Sequence, residues 1–253
     1  MGILNMTPDS FFDGGKYLDR SIISIISKFK KCDIVDIGFE SSRPGASPLS
    51  TNDEMSRFKL FLPYIDNFND KILSIDTYKP EIADCALSNG FSMVNDISGG
   101  TNNQMLDVVS KHGGPIVLMH MRGNPSNMQK NTNYKNLFEE ISSFLLKQAD
   151  KAKEHGILKK NIILDPGIGF GKTAEDNYNI INDLKMYKNL GYKILIGHSR
   201  KSFLQINNDR PEDRLISSIA ISSQLLIHEV DILRVHDIDE TYIARDILGR
   251  LDS

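Results

Sequence analysis

The sequence predicts an α/β fold of eight strand–helix units, a (β/α)8 or TIM barrel forming a single domain over residues 1–253. Three observations lead there. Short apolar, β-branched runs recur eight times and alternate with longer stretches of helical spacing, the pattern of repeated βα units. The runs are nearly continuous in Ile, Val and Leu, as expected of parallel strands covered on both faces. The length suits one barrel of about 250 residues, and no linker or change of composition divides the chain. A doubly wound open sheet is the competing arrangement, because alternation alone does not prove closure.

The elements follow in order. A first strand at Gly2–Leu4 precedes a long loop, Met6–Asp19, and a helix at Arg20–Lys31. The second strand, Ile34–Ile37, leads through the Gly/Pro/Ser-rich stretch Glu40–Thr51 to a helix at Asn52–Asp66. Ile72–Ile75 is followed by Pro80–Asn89, whose proline stands in a first turn that needs no N–H. Met93–Ile97 and Asn103–Lys111 make the fourth unit. Ile116–Met119 is followed by a loop, His120–Asn133, and the long helix Tyr134–His155. Ile162–Leu164 pairs with Ala174–Leu190, Ile194–Ile196 with Pro211–His228, and Ile232–Val235 with Ile238–Leu251. Gly90, Gly156 and Gly191 follow helices as stops. The three long loops are read as functional lids or disordered segments, with plain surface looping as the alternative.

Composition excludes several classes. Lys and Arg total 30 against 33 Asp and Glu, so a net charge of -3 gives no overall field to attract nucleic acid. No run reaches the roughly 18 to 20 apolar residues that a membrane helix needs. The N-terminal residues lack the pattern of a secretion signal, and position 6 is Met where myristoylation needs Ser or Thr. Two cysteines, Cys32 and Cys85, suit neither a disulfide framework nor a metal cluster, and a reducing cytoplasm is the expected setting.

Polar residues gather where the strands end, the place where such barrels carry their chemistry. Asn5 ends the first strand, Glu40 to Arg43 follow the second, and Asp76 ends the third. Asn95 and Asp96 end the fourth, His120 the fifth and Asp165 the sixth. His198 to Lys201 follow the seventh, and Arg234 and His236 end the eighth. Asp76, Asn95 and Asp165 would line a seat for a flat heterocycle with adjacent N–H donors, such as an aminopyrimidinone. Asp96 is read instead as a helix N-cap. Arg200, Lys201, Arg234 and His236 fall where barrels often bind phosphate, and their donors suit a pyrophosphate. Asn5 could add an oxygen ligand to Mg2+ held mainly by phosphate oxygens. The run Asp165 to Thr173 is no P-loop, since Pro166 stands where that motif needs Gly. Its glycines allow close approach to a ligand, and Phe170 offers an aromatic wall. His112, His155 and His228 are read as surface or packed residues.

These motifs together resemble dihydropteroate synthase, a family of pterin-binding enzymes. The likeness runs in order through Gly2 to Phe11, Asp36 to Gly45, Ser74 to Thr77, Val94 to Ile97, Leu118 to Met121, Leu164 to Gly167, Ser199 to Ser202 and Arg234 to Asp237. It implies condensation of 4-aminobenzoate with 6-hydroxymethyl-7,8-dihydropterin pyrophosphate, giving 7,8-dihydropteroate and pyrophosphate. It further implies that Asp76, Asn95, Asp165 and Lys201 hold the pterin, and that Asn5, Arg234 and His236 hold pyrophosphate with Mg2+. Ser42, Arg43, Pro44, Phe170 and Ser199 would border the aminobenzoate. Asp13 and Arg43 would join Asp165 and Lys201 in catalysis from loops that order late, and the enzyme would be a homodimer sensitive to sulfonamides. Pyrophosphate would depart before the arylamine attacks a pterin-methyl cation. Methyltransferases acting on methyltetrahydrofolate share the barrel and the acids, but the Ser199–Lys201 and Arg234–His236 elements argue against them. A catalytically silent pterin-binding protein is the other alternative.

Some positions depart from the family pattern. Phe39 stands where the family usually has Gly, and its bulk is expected to reshape the second loop or the aminobenzoate entrance. Ser42 replaces the usual Thr, keeping the hydroxyl. His198 replaces a small or apolar residue and is expected to pack. Family members commonly carry a segment ahead of the first strand that covers the barrel floor, and the sequence here starts at that strand.

Overall fold

The computed structural model describes residues 1–6, 26–41, 46–206 and 210–251. Eight parallel strands run in chain order: β1 (Gly2–Asn5), β2 (Ile34–Gly38), β3 (Ile72–Asp76), β4 (Met93–Asp96), β5 (Ile116–Met119), β6 (Ile162–Asp165), β7 (Lys193–Ile196) and β8 (Ile232–Leu233). Each pairs with the next, for example Asp36 with Ser74 and Met119 with Asp165. The eighth is shorter than its apolar run predicts. Past Leu233, the chain bonds to both neighbours: Arg234 N–H donates to the carbonyl of Ile196, and an isolated parallel bridge joins Val235 to Gly2.

The helices between strands are α1 (Thr51–Phe61), α2 (Pro80–Leu87), α3 (Asn103–His112), α4 (Leu137–Glu154), α5 (Ala174–Asn182), α6 (Leu184–Lys188), α7 (Leu215–Ile227) and α8 (Ile238–Leu251). Local chemistry sets where they begin. The side chains of Ser50, Asn102 and Asn136 accept N–H bonds from Asp53, Gln104 and Glu139, and Thr173 forms a reciprocal capping box with Asp176. Asn136 thus delays α4 by three residues relative to its predicted start at Tyr134. The predicted helix Asn52–Asp66 changes to a 3-10 turn at Leu62–Phe68, because Pro63 has no N–H for an α-type bond. The predicted helix Ala174–Leu190 is interrupted at Asp183, which closes α5. Of the predicted helix Arg20–Lys31, only the 3-10 turn Ser27–Phe29 and its flanks lie within the described residues.

Two apolar bodies hold these elements. The outward residues of the strands, among them Ile37, Ile75, Val94 and Leu118, pack with Phe58, Leu106, Leu145 and Leu225 from the helices. Burying each such side chain stabilises the fold by about 1.5–3 kcal/mol. Inside the curl, Met93, Val117, Ile163 and Leu195 form a separate dry cluster with Ile34 and Ile232 against it. Side chains alternate along a strand, so the residues two places further on face the same interior. Those are Asp36, Asn95, Met119, Asp165 and Arg234, joined by Asn5 and Asp76 through the strand registers. An apolar floor therefore carries a polar tier above it, at the carboxyl ends of the strands.

Candidate active site

The polar tier is a connected network. Arg234 donates from Nε to Asp36 Oδ2 and from Nη2 to Asp76 Oδ2, each at 2.6 Å. Asn95 Nδ2 donates to the same Asp36 oxygen at 2.9 Å. Asp36 is fully buried, and its other oxygen has no hydrogen-bond partner among the described residues. It therefore orients both Arg234 and Asn95 from beneath. The sequence reading placed Asp36 in a motif and gave it no role, although a lone carboxylate inside the run Ile34–Ile37 was a usable signal.

Across the tier, Asp165 Oδ1 accepts the Gly167 N–H at 2.7 Å. Gly167 has φ of 74°, and a Cβ there would lie 1.9 Å from the carbonyl oxygen of His120, so only glycine fits. Lys201 Nζ donates to the carbonyl of Ile168 and lies 4.5 Å from the centre of the Phe170 ring. Ser199 is buried, and its Oγ accepts the His236 N–H at 3.2 Å and contacts His236 Nδ1 at 3.1 Å.

Burial dominates the electrostatics. It pushes the Asp76 carboxyl up to about 7 against the pull of Arg234, with Asp36 and Glu54 adding to the rise. It raises Asp165 as well, opposed by Lys201. Lys201 falls to about 8 through burial, countered by Asp165. The Arg234 guanidinium, held by Asp36 and Asp76 despite its burial, is raised above its ordinary value.

The structure brings together Asn5, Asp76, Asn95, Asp165, Lys201, Phe170, Ser199, Arg234 and His236 at one end of the sheet. Asp13, Ser42, Arg43 and Pro44 lie outside the described residues. Other strand-end groups turn away. Arg200 donates from Nε and Nη2 to Asp237 and not to the acids of the polar tier. His120 faces the helix layer, edge-on to Phe144 with 5.2 Å between ring centres. Asp96 caps the turn at Ser98 and Gly100, while the cap of α3 is Asn102. His198 packs as expected, with Nε2 2.9 Å from Ser222 Oγ. Phe39 corrects its expectation: fully buried, it makes edge contacts with Phe58 and Phe61 and points into the helix layer rather than toward the second loop. His112, His155 and His228 pair with Asp84, Asp107 and Gln224 beside their own helix ends.

Sequence reading also missed Lys172, buried at the end of the glycine-rich loop. Its Nζ contacts His120 Nδ1 and the Phe170 carbonyl oxygen, both at 3.1 Å, pinning that loop to the end of β5. A cavity of about 330 Å3 opens beside Asp76, walled by Thr77, Tyr78, Ile97, Met121 and Phe144. Of the described residues assigned to the site, Asp76 is the one that lines it.

For a metal, the donor chemistry is specific. Among the described residues no group of three or more His, Cys, Asp or Glu side chains could hold an ion. Asn5 brings a hard amide oxygen to the same end as Arg234 and His236, which fits Mg2+ only if phosphate supplies the remaining oxygens.

Known proteins share this design. The pterin binding enzyme family model matches residues 1–236. A dihydropteroate synthase of Synechocystis sp. is 42% identical over 247 residues, covering 94% of this chain and 85% of the relative. The dihydropteroate synthase of Yersinia pestis, solved with a sulfonamide drug, superposes with a TM-score of 0.91 at 35% identity, covering 100% of this chain and 93% of that one. That of Anaplasma phagocytophilum, solved with bound 6-hydroxymethylpterin-monophosphate, gives 0.90 at 31% identity, with 99% and 97% covered. With the acids, amide and cations of the polar tier standing at the strand positions where the sequence likeness runs, the chain belongs to the pterin binding enzymes and, within them, to the dihydropteroate synthase family.

Proposed function

We infer that the chain is a transferase of folate biosynthesis that condenses 4-aminobenzoate with 6-hydroxymethyl-7,8-dihydropterin pyrophosphate, releasing pyrophosphate. The observation that carries this is one polar tier holding acceptor oxygens and cations together. Among the described residues, Asp76 Oδ1, Asn95 Oδ1 and Asp165 Oδ2 are left as acceptors once the bonds described above are made. They suit the exocyclic amine and ring N–H groups of a pterin. Among the described residues Arg234 Nη1 is left for an anion, and Lys201 Nζ stands over the Phe170 ring.

In this reading, Asp165 and Asp76 orient the ring, and the carboxylates favour positive charge that develops on it as the methylene–oxygen bond breaks. Arg234 and His236 receive the charge of the departing pyrophosphate. Mg2+ on the phosphate oxygens and Asn5 would supply further neutralisation of the leaving group. The arylamine nitrogen then bonds to the methylene carbon and gives up one proton. Ser42, Arg43, Pro44, Phe170 and Ser199 would border the aminobenzoate, and Asp13 and Arg43 would help exclude water. The solved relative with a sulfonamide drug supports sensitivity to such aminobenzoate mimics.

The sheet is read as a closed (β/α)8 barrel in one domain, supported by the Gly2–Val235 bridge and by the Ile3 N–H bond to the Val235 carbonyl at 3.0 Å. A homodimer is supported by exposed Ile243, Ile247 and Leu251 along one line of α8, next to exposed Ile216 and Ile227 on α7. No helix among the described residues is long and apolar enough to cross a membrane, and the free thiols of Cys32 and Cys85 suit a reducing cytoplasm.

Incubation with both substrates and Mg2+ is expected to release pyrophosphate and form dihydropteroate in equal amounts. Absence of release would defeat the reading. Sedimentation in solution tests the dimer separately.

A further inference from the structure

The turn after β7 holds a backbone conformation that residues other than glycine rarely adopt. Arg200 has φ of 57°, in the left-handed region, and stands between Ser199 and Lys201, both assigned above to the substrates. A strained residue persists where its surroundings over-determine it. Here they do. The Arg200 N–H donates to Ser218 Oγ at 3.0 Å, and its carbonyl accepts from Arg214 Nη1, also at 3.0 Å. Its side chain is bonded to Asp237, the residue after His236. Two positions earlier, His198 Nε2 lies 3.1 Å from the Ser218 carbonyl oxygen and 2.9 Å from Ser222 Oγ. Arg214 ends the 3-10 turn Pro211–Arg214 that leads into α7, and Ser218 lies in the first turn of that helix. Both are buried, although arginine is seldom buried without a partner.

We propose that Arg214 and Ser218 are positioning residues for the reaction: from the head of α7 they grip both main-chain polar groups of Arg200 and so hold the turn that presents Ser199 and Lys201. Three features support this. The grip falls on the main chain at the one strained residue of the turn, where it decides the direction of both neighbours. Those neighbours end on other parts of the site: Ser199 Oγ accepts the His236 N–H at 3.2 Å, and Lys201 Nζ donates to the Ile168 carbonyl beside the Phe170 ring. The helix that supplies the grip is itself fixed, since Leu225 on α7 is fully buried in the main apolar core. Because Ser199 borders one substrate and Lys201 the other, loosening the turn should weaken the use of both.

The proposal rests on the synthase reading, and the test separates the two. In the full chain, kcat/KM for each substrate is compared among wild type, Arg214→Met, Arg214→Lys, Ser218→Ala and Leu225→Ala. Misplacing the turn should lower kcat/KM for both substrates about ten-fold or more in Arg214→Met and in Ser218→Ala. The bond to the Arg200 carbonyl uses a single donor, so Arg214→Lys should regain most of the loss. Leu225→Ala destabilises the same helix through the core, away from the turn, and should leave kcat/KM within about two-fold of wild type at a temperature where it is folded. Hydrogen exchange at the Arg200 amide should be at least about ten-fold faster in Arg214→Met, even though that variant keeps the Ser218 hydroxyl. Should Arg214→Met fail to fold, Ser218→Ala carries the test. Wild-type kcat/KM in both grip variants, an equal loss in Leu225→Ala, or unchanged Arg200 exchange would overturn the proposal. Wild-type protein without turnover would overturn the synthase reading instead, and the exchange rates would still decide whether Arg214 holds the turn.

Discussion

Met93, Val117, Ile163 and Leu195 on the apolar floor and Asp36, Asp76, Asn95, Asp165 and Arg234 above them face the same interior of the curled sheet, and in two cases, Met93 with Asn95 and Ile163 with Asp165, they stand two residues apart on one strand. The floor residues form an apolar cluster of their own and gain from leaving water. Asp36, Asn95 and Asp165 are buried as the floor is, and Asp76 and Arg234 partly so, but the tier keeps unmatched atoms: Asp36 Oδ1 and, at the border with the floor, Ser74 Oγ have no partner among the described residues. Burial raises the carboxyls of Asp76 and Asp165 and lowers the Lys201 ammonium. One tier is arranged for stability, while the other holds groups whose charges are favoured poorly until something with complementary donors arrives. The difference gives each tier a distinct mutational signature.

The strongest expected effect comes from Arg234→Ala. It strands Asp36 and Asp76, and removing one partner of a buried pair costs about 3–5 kcal/mol. Urea titration of the ligand-free protein measures this; a loss under about 1 kcal/mol would mean that the acids find other compensation. The same variant should lose affinity for the pterin pyrophosphate far more than for the pterin alcohol, and equal losses would remove Arg234 from the phosphate site.

Leu195→Ala opens a cavity in the floor and should cost about 2–4 kcal/mol of stability while leaving pterin affinity within about two-fold. A large loss of pterin binding in that variant would show that the tiers are mechanically coupled rather than stacked. Asp165→Asn should do the reverse. It replaces a buried carboxylate with a neutral amide, so the ligand-free protein should be no less stable, while pterin affinity falls by about 1.5–3 kcal/mol, roughly ten- to a hundred-fold. Calorimetry showing unchanged affinity would take Asp165 out of the pterin seat.

The two tiers were not equally legible in the sequence. The strands could be read because parallel strands covered on both faces leave apolar runs, and the polar residues closing those runs marked the mouth. Direction was harder. Phe39 follows Ile37 by two and so shares its outward face, a parity that would have sent the ring to Phe58 and Phe61 instead of to the loop. Arg200 adopts φ of 57° and turns to Asp237, a partner 37 residues away that no local pattern reveals. The same holds for Glu54 and Lys79, which read as ordinary surface charges until the βα topology sets the Lys79 ammonium between Glu40 and Glu54. Three-dimensional pairing, rather than residue type, separates Arg234, bonded within the polar tier, from Arg200, bonded to Asp237 outside it.

The smallest effect sharpens the comparison through pH. The Asp76 carboxyl titrates near 7 when folded against an ordinary 3.8, so between about pH 4 and 7 the folded state keeps a proton that the unfolded chain has released. Stability contributed by this group therefore falls as pH rises through that window, by at most about 1.4 kcal/mol per unit. Lys201 titrates near 8 when folded against 10.5, so between those values the unfolded chain binds more protons and stability rises with pH. His120 and His198, held near 3 and 4 by burial, oppose the acid limb, since below 6.5 the unfolded chain takes up protons that they refuse. The readout is therefore a difference: wild-type minus Asp76→Asn stability should decline from about pH 4 to 7 and level off above. The corresponding difference for Leu195→Ala should be flat, because the floor holds no titrating side chain. A sloping floor difference, or a flat one for Asp76, would mean that the cost of buried charge is not confined to the upper tier.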